Sequence, residues 1–137
     1  MSLRIGYAPG AFDLFHIGHL NALRFAKEHC DVLVAGVVSD EICTLTKGVR
    51  PTIPTAERAE IVGALRCVDR VHVETTTSRL DAWEAVGFSL LFKGDDWRGT
   101  PKGDALEALL EPHGVEIVYF PYTIHTSSTM LRRTVKR

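Results

Sequence analysis

The sequence predicts an α/β fold, a single doubly wound domain built on a five-stranded parallel sheet, and three observations point to it. Short apolar runs rich in Val and Ile alternate with segments whose apolar residues recur at helical spacing. That alternation favours parallel strands, because parallel neighbours need a crossover connection and right-handed crossovers cover both sheet faces. The length of 137 residues, with 45% hydrophobic and 24% charged residues, suits one globular domain over residues 1–137.

The first run, Leu3 to Ala8, reads as a strand too short and too apolar for a helix. Leu20, Leu23 and Ala26 then repeat at helical spacing, and Val32 to Val38 gives a second strand. A polar stretch with two prolines, Lys47 to Arg58, reads as a loop leading into a helix capped by Thr55, with Ile61 and Leu65 on its apolar side. Val71 to Val73, Leu90 to Phe92 and Val115 to Phe120 complete the strands. Leu106, Leu109 and Leu110 mark a helix before the last of them, and a final helix is expected from about Ser128.

Sixteen Lys plus Arg against seventeen Asp plus Glu leaves a net charge of −1, so no global field recruits nucleic acid or an anionic membrane. Arg132, Arg133, Lys136 and Arg137 cluster at the C-terminus, as solvated helix ends commonly do. No apolar run approaches the roughly 20 residues a membrane helix needs, and the N-terminus lacks a signal-peptide pattern, which places the expected compartment in the cytoplasm. Cys30, Cys43 and Cys67 are odd in number and widely spaced, so neither a disulfide framework nor a zinc knuckle is indicated.

Ligands of doubly wound sheets sit beyond the carboxyl ends of the strands, where the winding reverses. The segment after the first strand, Pro9 to His19, runs straight into a helix and carries His16, Gly18 and His19. Free amides and the dipole at a helix N-terminus attract phosphate, two imidazoles three residues apart can donate to its oxygens, and Gly18 lets a ligand approach the backbone. The same pair also fits a cap or a surface feature. As metal ligands the histidines lack a third soft partner beside Asp13, and the GxGxxG dinucleotide pattern is absent.

The stretch FDLFHIGH, Phe12 to His19, resembles the FDxxHxGH signature of the nucleotidylyltransferase superfamily, and the chain as a whole resembles its short cytidylyltransferase branch, typified by enzymes acting on glycerol 3-phosphate. The resemblance implies a Rossmann-like domain in which His16 and His19 hold the nucleotide phosphates and stabilise the transition state. Gly10, Ala11, Phe12, Asp13 and Gly18 would bind nucleotide beside them. Ala11 stands where the family often has Thr, which removes one hydroxyl contact. Lys47 matches a loop lysine that reaches the reacting phosphates, and Arg58 matches the family's helix arginine, while Val49 replaces a second lysine with Arg50 following.

Further along, ALRCVDRV resembles xxRYVDxV and assigns Arg66 to the substrate side, with pairing to Asp69 or to a helix C-terminus as its structural alternative. Lys93-Gly94-Asp95-Asp96-Trp97 resembles the branch's GDDW, which implies substrate contacts from Asp95, Asp96 and Trp97; turn chemistry alone also favours Gly-Asp. Thr123, Ser127, Ser128 and Thr129 fall on the family's RTxGISTT as nucleotide-binding hydroxyls, although Tyr122, His125 and Thr126 depart from it. The implied reaction transfers CMP from CTP to a small phosphorylated alcohol, most simply glycerol 3-phosphate, releasing pyrophosphate. Mg²⁺ would travel with the triphosphate rather than in a protein cage. The competing expectations are an adenylyltransferase using ATP and a phosphorylated sugar or cofactor precursor, and a nucleotide-binding module without turnover. A homodimer is expected from the resemblance.

Overall fold

The computed structural model describes residues 3–121. Its elements are β1 (Ile5–Gly10), α1 (Ile17–Glu28), β2 (Val32–Val38), α2 (Asp40–Lys47), α3 (Thr55–Gly63), β3 (Arg70–Glu74), α4 (Arg79–Val86), β4 (Leu90–Gly94), α5 (Pro101–Leu110) and β5 (Glu116–Phe120). Short 3₁₀ turns occupy Asp95–Trp97 and Glu111–His113. All four strand pairings are parallel, in the order β3-β2-β1-β4-β5. Winding runs outward from β1 to β3, then restarts at β4 on the other side, so the switch point lies between β1 and β4. The expected final helix and the four hydroxyl residues Thr123, Ser127, Ser128 and Thr129 lie outside the described residues.

Period-2 alternation divides the core between the two faces. Ala8, Leu33, Ala35, Val37, Leu90 and Phe92 pack on one face with Leu23 and Ala26 of α1 and Val62 of α3. Tyr7, Val34 and Leu91 pack on the other with Ala82 of α4 and Leu106 and Leu110 of α5. Tyr7 stacks on Phe88 at 4.6 Å and donates its hydroxyl to Glu74. A side chain at Gly36 would overlap that hydroxyl, which is why β2 carries glycine there. No helix of the described residues is long and apolar enough to cross a membrane.

Two helices escape a reading by apolar period. Both α2 and α4 have eight residues, too few for a repeat to stand out, yet each has a serine N-cap and a left-handed glycine after it: Ser39 and Gly48, Ser78 and Gly87. Lys47 is therefore the last residue of a helix rather than the start of a loop. Thr55 is the first residue of α3 and not its cap, which falls on Pro54. Its hydroxyl is used elsewhere, accepting from the Asp40 amide at 2.9 Å.

Arg58 is 1% exposed, and all five of its N–H donors are taken. Nε donates to Ile53 O (2.7 Å), Nη1 to Ala11 O (2.6 Å) and Val38 O (2.8 Å), and Nη2 to Asp40 Oδ1 (2.8 Å) and Thr55 Oγ1 (3.2 Å). Burial alone would raise the Asp40 carboxyl, but Arg58 and Thr55 overcome it and hold Asp40 below its ordinary value. Removing one partner of such a pair strands the other, so Arg58→Met should lower unfolding free energy by about 3–5 kcal/mol. Urea denaturation monitored by far-UV circular dichroism checks this; a loss under about 1 kcal/mol would contradict the structural role.

Candidate active site

A cavity of about 780 Å³ opens at the switch point. It is lined by Gly10 at the end of β1 and Ala11 to Asp13 after it, by His16, Gly18 and His19 at the start of α1, by Lys47 at the end of α2, by Lys93 and Gly94 at the end of β4, and by Asp96 and Trp97 of the 3₁₀ turn that follows.

The two histidines cap α1 reciprocally. The Gly18 amide donates to His16 Nδ1 at 3.1 Å, and the His16 amide donates to His19 Nδ1 at 3.2 Å, so imidazoles fill both places of a capping box. A ring nitrogen that accepts carries no proton. Each neutral ring must therefore hold its hydrogen at Nε2, leaving two N–H donors on rings that line the cavity. The rings stack with centroids 4.0 Å apart. Burial lowers the pKa of His16; burial and the His16 ring lower His19 to about 4, against an opposing pull from Asp13. Both are neutral donors at pH 7.

Phe12 and Asp13 shape the loop that delivers them. Phe12 is 7% exposed and meets His19 edge-on at 5.6 Å. Its backbone, like that of Leu14, is left-handed (φ 54° and 50°), which costs a non-glycine residue about 1–2 kcal/mol and is held by the surrounding packing. Asp13 accepts from the Thr52 amide at 2.8 Å and the Ile53 amide at 2.9 Å, clamping the segment before α3 over the loop. Both residues line the cavity while serving as scaffold.

The other expected contacts divide. Lys47, Asp96 and Trp97 line the cavity, and Gly94 makes room for Asp96, since a Cβ there would lie 2.6 Å from its Oδ1. Arg58 does not reach the cavity: its saturated guanidinium lies beneath it and braces Ala11. Arg66 is exposed in the turn after α3, away from the cavity, and Asp69 pairs with Lys27 at 2.8 Å rather than with Arg66. Asp95 is exposed and outside the lining.

Lys93 is a cavity cation missing from the residues expected at the site; Arg50 also lines the cavity and pairs with Asp40 at 3.4 Å. The signal for Lys93 was a lysine at the carboxyl end of a strand next to the switch point, overshadowed by the Gly-Asp-Asp-Trp that follows it. Among the described residues no group of three His, Cys, Asp or Glu could hold a metal.

The doubly wound α/β domain carries an imidazole-capped helix at its switch point, an arrangement suited to phosphate. The family comparison agrees: residues 7–134 match the model of the cytidylyltransferase-like family, and the chain belongs to that family. Curated relatives include the bifunctional protein HldE of Hyphomonas neptunium, 36% identical over 94% of this chain and 26% of the relative, and HldE of Geobacter metallireducens, 40% identical over 85% and 24%. The chain thus spans about a quarter of the length of these relatives. A lipopolysaccharide core biosynthesis protein from Thermoplasma volcanium superposes with a TM-score of 0.76, covering 91% of this chain and all of its own, at 21% identity. The pantoate-beta-alanine ligase of Francisella tularensis shares the fold at a TM-score of 0.67 and 13% identity, over 95% of this chain and 65% of its own.

The lowered pKa of His19 has a direct consequence for stability. An unfolded imidazole takes up a proton near pH 6.5 and the folded one only near 4, so the stabilisation is complete above about pH 6.5 and is lost as pH falls toward 4. Thermal unfolding between pH 7 and 4.5 should show the wild-type midpoint falling with a steeper slope than that of His19→Gln. Equal slopes would contradict the assignment.

Proposed function

We propose that this domain transfers a nucleoside monophosphate, AMP in preference to CMP, from its triphosphate to a small phosphate monoester such as a sugar phosphate. The observation that carries the reading is the pair of Nε2–H donors fixed by the capping box at the switch point. In the reaction an oxygen of the acceptor phosphate attacks the α-phosphorus. The new P–O bond forms as the bond to the β-phosphate oxygen breaks, and pyrophosphate departs. Positioning and charge stabilisation supply the acceleration, without a covalent enzyme intermediate.

The imidazoles suit this work because they donate to equatorial and bridging oxygens as neutral groups already locked in one tautomer, with no reorganisation during reaction. Lys47 adds a full positive charge at the exposed rim, and the α1 N-terminus adds its free amides. Both Asp13 oxygens accept backbone amides, so Asp96 is the cavity carboxylate left to meet a divalent cation. That donor set fits Mg²⁺ arriving on the triphosphate, where it would neutralise phosphate charge.

The preference for ATP rests on the HldE relatives, which we read as adenylyl-transferring members of the family. The second reading, CTP with glycerol 3-phosphate, is favoured by one segment, Gly94 to Trp97. The homodimer is a proposal carried by the resemblance alone, and light scattering at micromolar concentration tests it.

Pyrophosphate release across ATP, CTP, UTP and GTP, each with a panel of phosphorylated sugars and alcohols, separates the readings. ATP should lead by at least about tenfold in kcat/KM, equivalent to about 1.4 kcal/mol; a CTP lead would move the assignment to the second reading. Because His16 is a cap as well as a donor, His16→Ala should also destabilise by about 0.5–2 kcal/mol. His16→Asn preserves an acceptor for the Gly18 amide and isolates the chemistry: it should fold normally and lose at least about 100-fold in kcat, or about 2.7 kcal/mol. Undiminished turnover would sink the mechanism.

A further inference from the structure

We propose that Lys93 is the cation that seats the phosphate group of the acceptor monoester, in a subsite walled by Trp97 on the opposite side of the sheet edge from the triphosphate. The inference rests on the transfer reading above and assigns to it a residue and a subsite. Lys93 stands beside Gly94 at the carboxyl end of β4, and its ammonium lies 3.9 Å from the Trp97 ring centroid. Other cations shielded from solvent are paired: Arg58 with Asp40, Arg79 with Glu74 at 2.7 Å, Lys27 with Asp69. Lys93 has no carboxylate within 4.0 Å and no hydrogen bond among the described residues, although it is half-buried and lines the cavity. A π face steadies an ammonium but leaves its three N–H donors unused. An anion entering the cavity can take up those donors.

The sheet says where that anion sits. Phe92 belongs to the face covered by α1, and Leu91 to the face covered by α4 and α5. Alternation puts Lys93 with Leu91, and Trp97 packs into that same cluster. Phosphates on the α1 N-terminus therefore approach from one face and a phosphate on Lys93 from the other. Since β1 and β4 are adjacent and both positions line one cavity, the two phosphates flank the switch point. An attacking oxygen and a departing pyrophosphate on opposite sides of one phosphorus need such an arrangement.

The charges facing Lys93 come from four elements: Arg79 of α4 and Lys47 of α2 disfavour its protonation, whereas Asp96 of the 3₁₀ turn and Glu74 of β3 favour it. Lys102 of α5 also approaches the Trp97 ring, at 6.0 Å. Burial is the largest influence, and together these bring the ammonium down to about 8. A bound phosphate would restore its charge.

Titration calorimetry on the whole chain tests the assignment without relying on turnover. The probes are inorganic phosphate, glycerol 3-phosphate and non-hydrolysable analogues of ATP and CTP. Lys93→Met should weaken phosphate and glycerol 3-phosphate at least about tenfold while changing triphosphate-analogue affinity less than about twofold. Wild-type affinity for glycerol 3-phosphate should fall about tenfold between pH 7 and 9 as Lys93 loses its proton, and Lys93→Arg, always charged, should lack that fall. The proposal is overturned by a triphosphate analogue that suffers as much as the monoester, by wild-type affinity that is flat over that pH range, or by the absence of monoester binding. Failure of the transfer reading looks different: no pyrophosphate release with any triphosphate, whatever the binding arms show.

Discussion

The carboxyl edge of the sheet depends on the buried guanidinium of Arg58, because three separate chain segments meet there with carbonyl oxygens that no regular ladder can satisfy. Ala11 comes from the loop after β1, Val38 from the end of β2 and Ile53 from the approach to α3. A single planar group with five diverging donors resolves all three, and Asp40 neutralises its charge. The Asp13 clamp on Thr52 and Ile53 closes the same assembly from the other side. The loop carrying the imidazoles is thus held to β2, α2 and α3 by Arg58, which does not line the cavity, and by Asp13, which lines it but spends its carboxylate oxygens on backbone amides.

This bracing explains how a short loop sustains left-handed backbone at Phe12 and Leu14. The strain is offset by the Phe12 ring, buried against Phe15 and His19. The return is placement: His16 enters α1 as its N-cap and His19 follows one turn later with its ring stacked on the first. Termination of the helix and presentation of the donors are one event, since the bonds that cap the backbone also expel the proton from Nδ1 to Nε2. Structure and chemistry cannot be separated at these positions by alanine substitution alone.

In the proposed reaction the switch point would divide the ligands between faces. The α1 side offers amides and neutral donors; the β4 side offers an ammonium, a carboxylate and an aromatic wall. A triphosphate and a monophosphate ester differ in charge and in shape, and two dissimilar half-sites on either side of the switch point can discriminate between them.

Much of this was legible from the chain alone. Apolar alternation located five strands and three of the five helices among the described residues, and Phe12 to His19 announced the family, because periodicity and motif spacing are local properties. The helices α2 and α4 went unread, being too short for a period and marked only by their serine caps and terminal glycines. What no local pattern contains is the partner of a long-range polar group. Arg58 and Lys93 are both basic residues near prolines or glycines in sequence, yet one is saturated in the core and the other lines the cavity with no ion pair among the described residues. Arg66 looks equally apt and lies in solvent. The sequence by itself determined the order of winding segments and the imidazole pair; only the tertiary structure decided which cations serve the site, because a charge is assigned to scaffold or ligand by the carbonyls and carboxylates that distant segments bring within 3 Å of it.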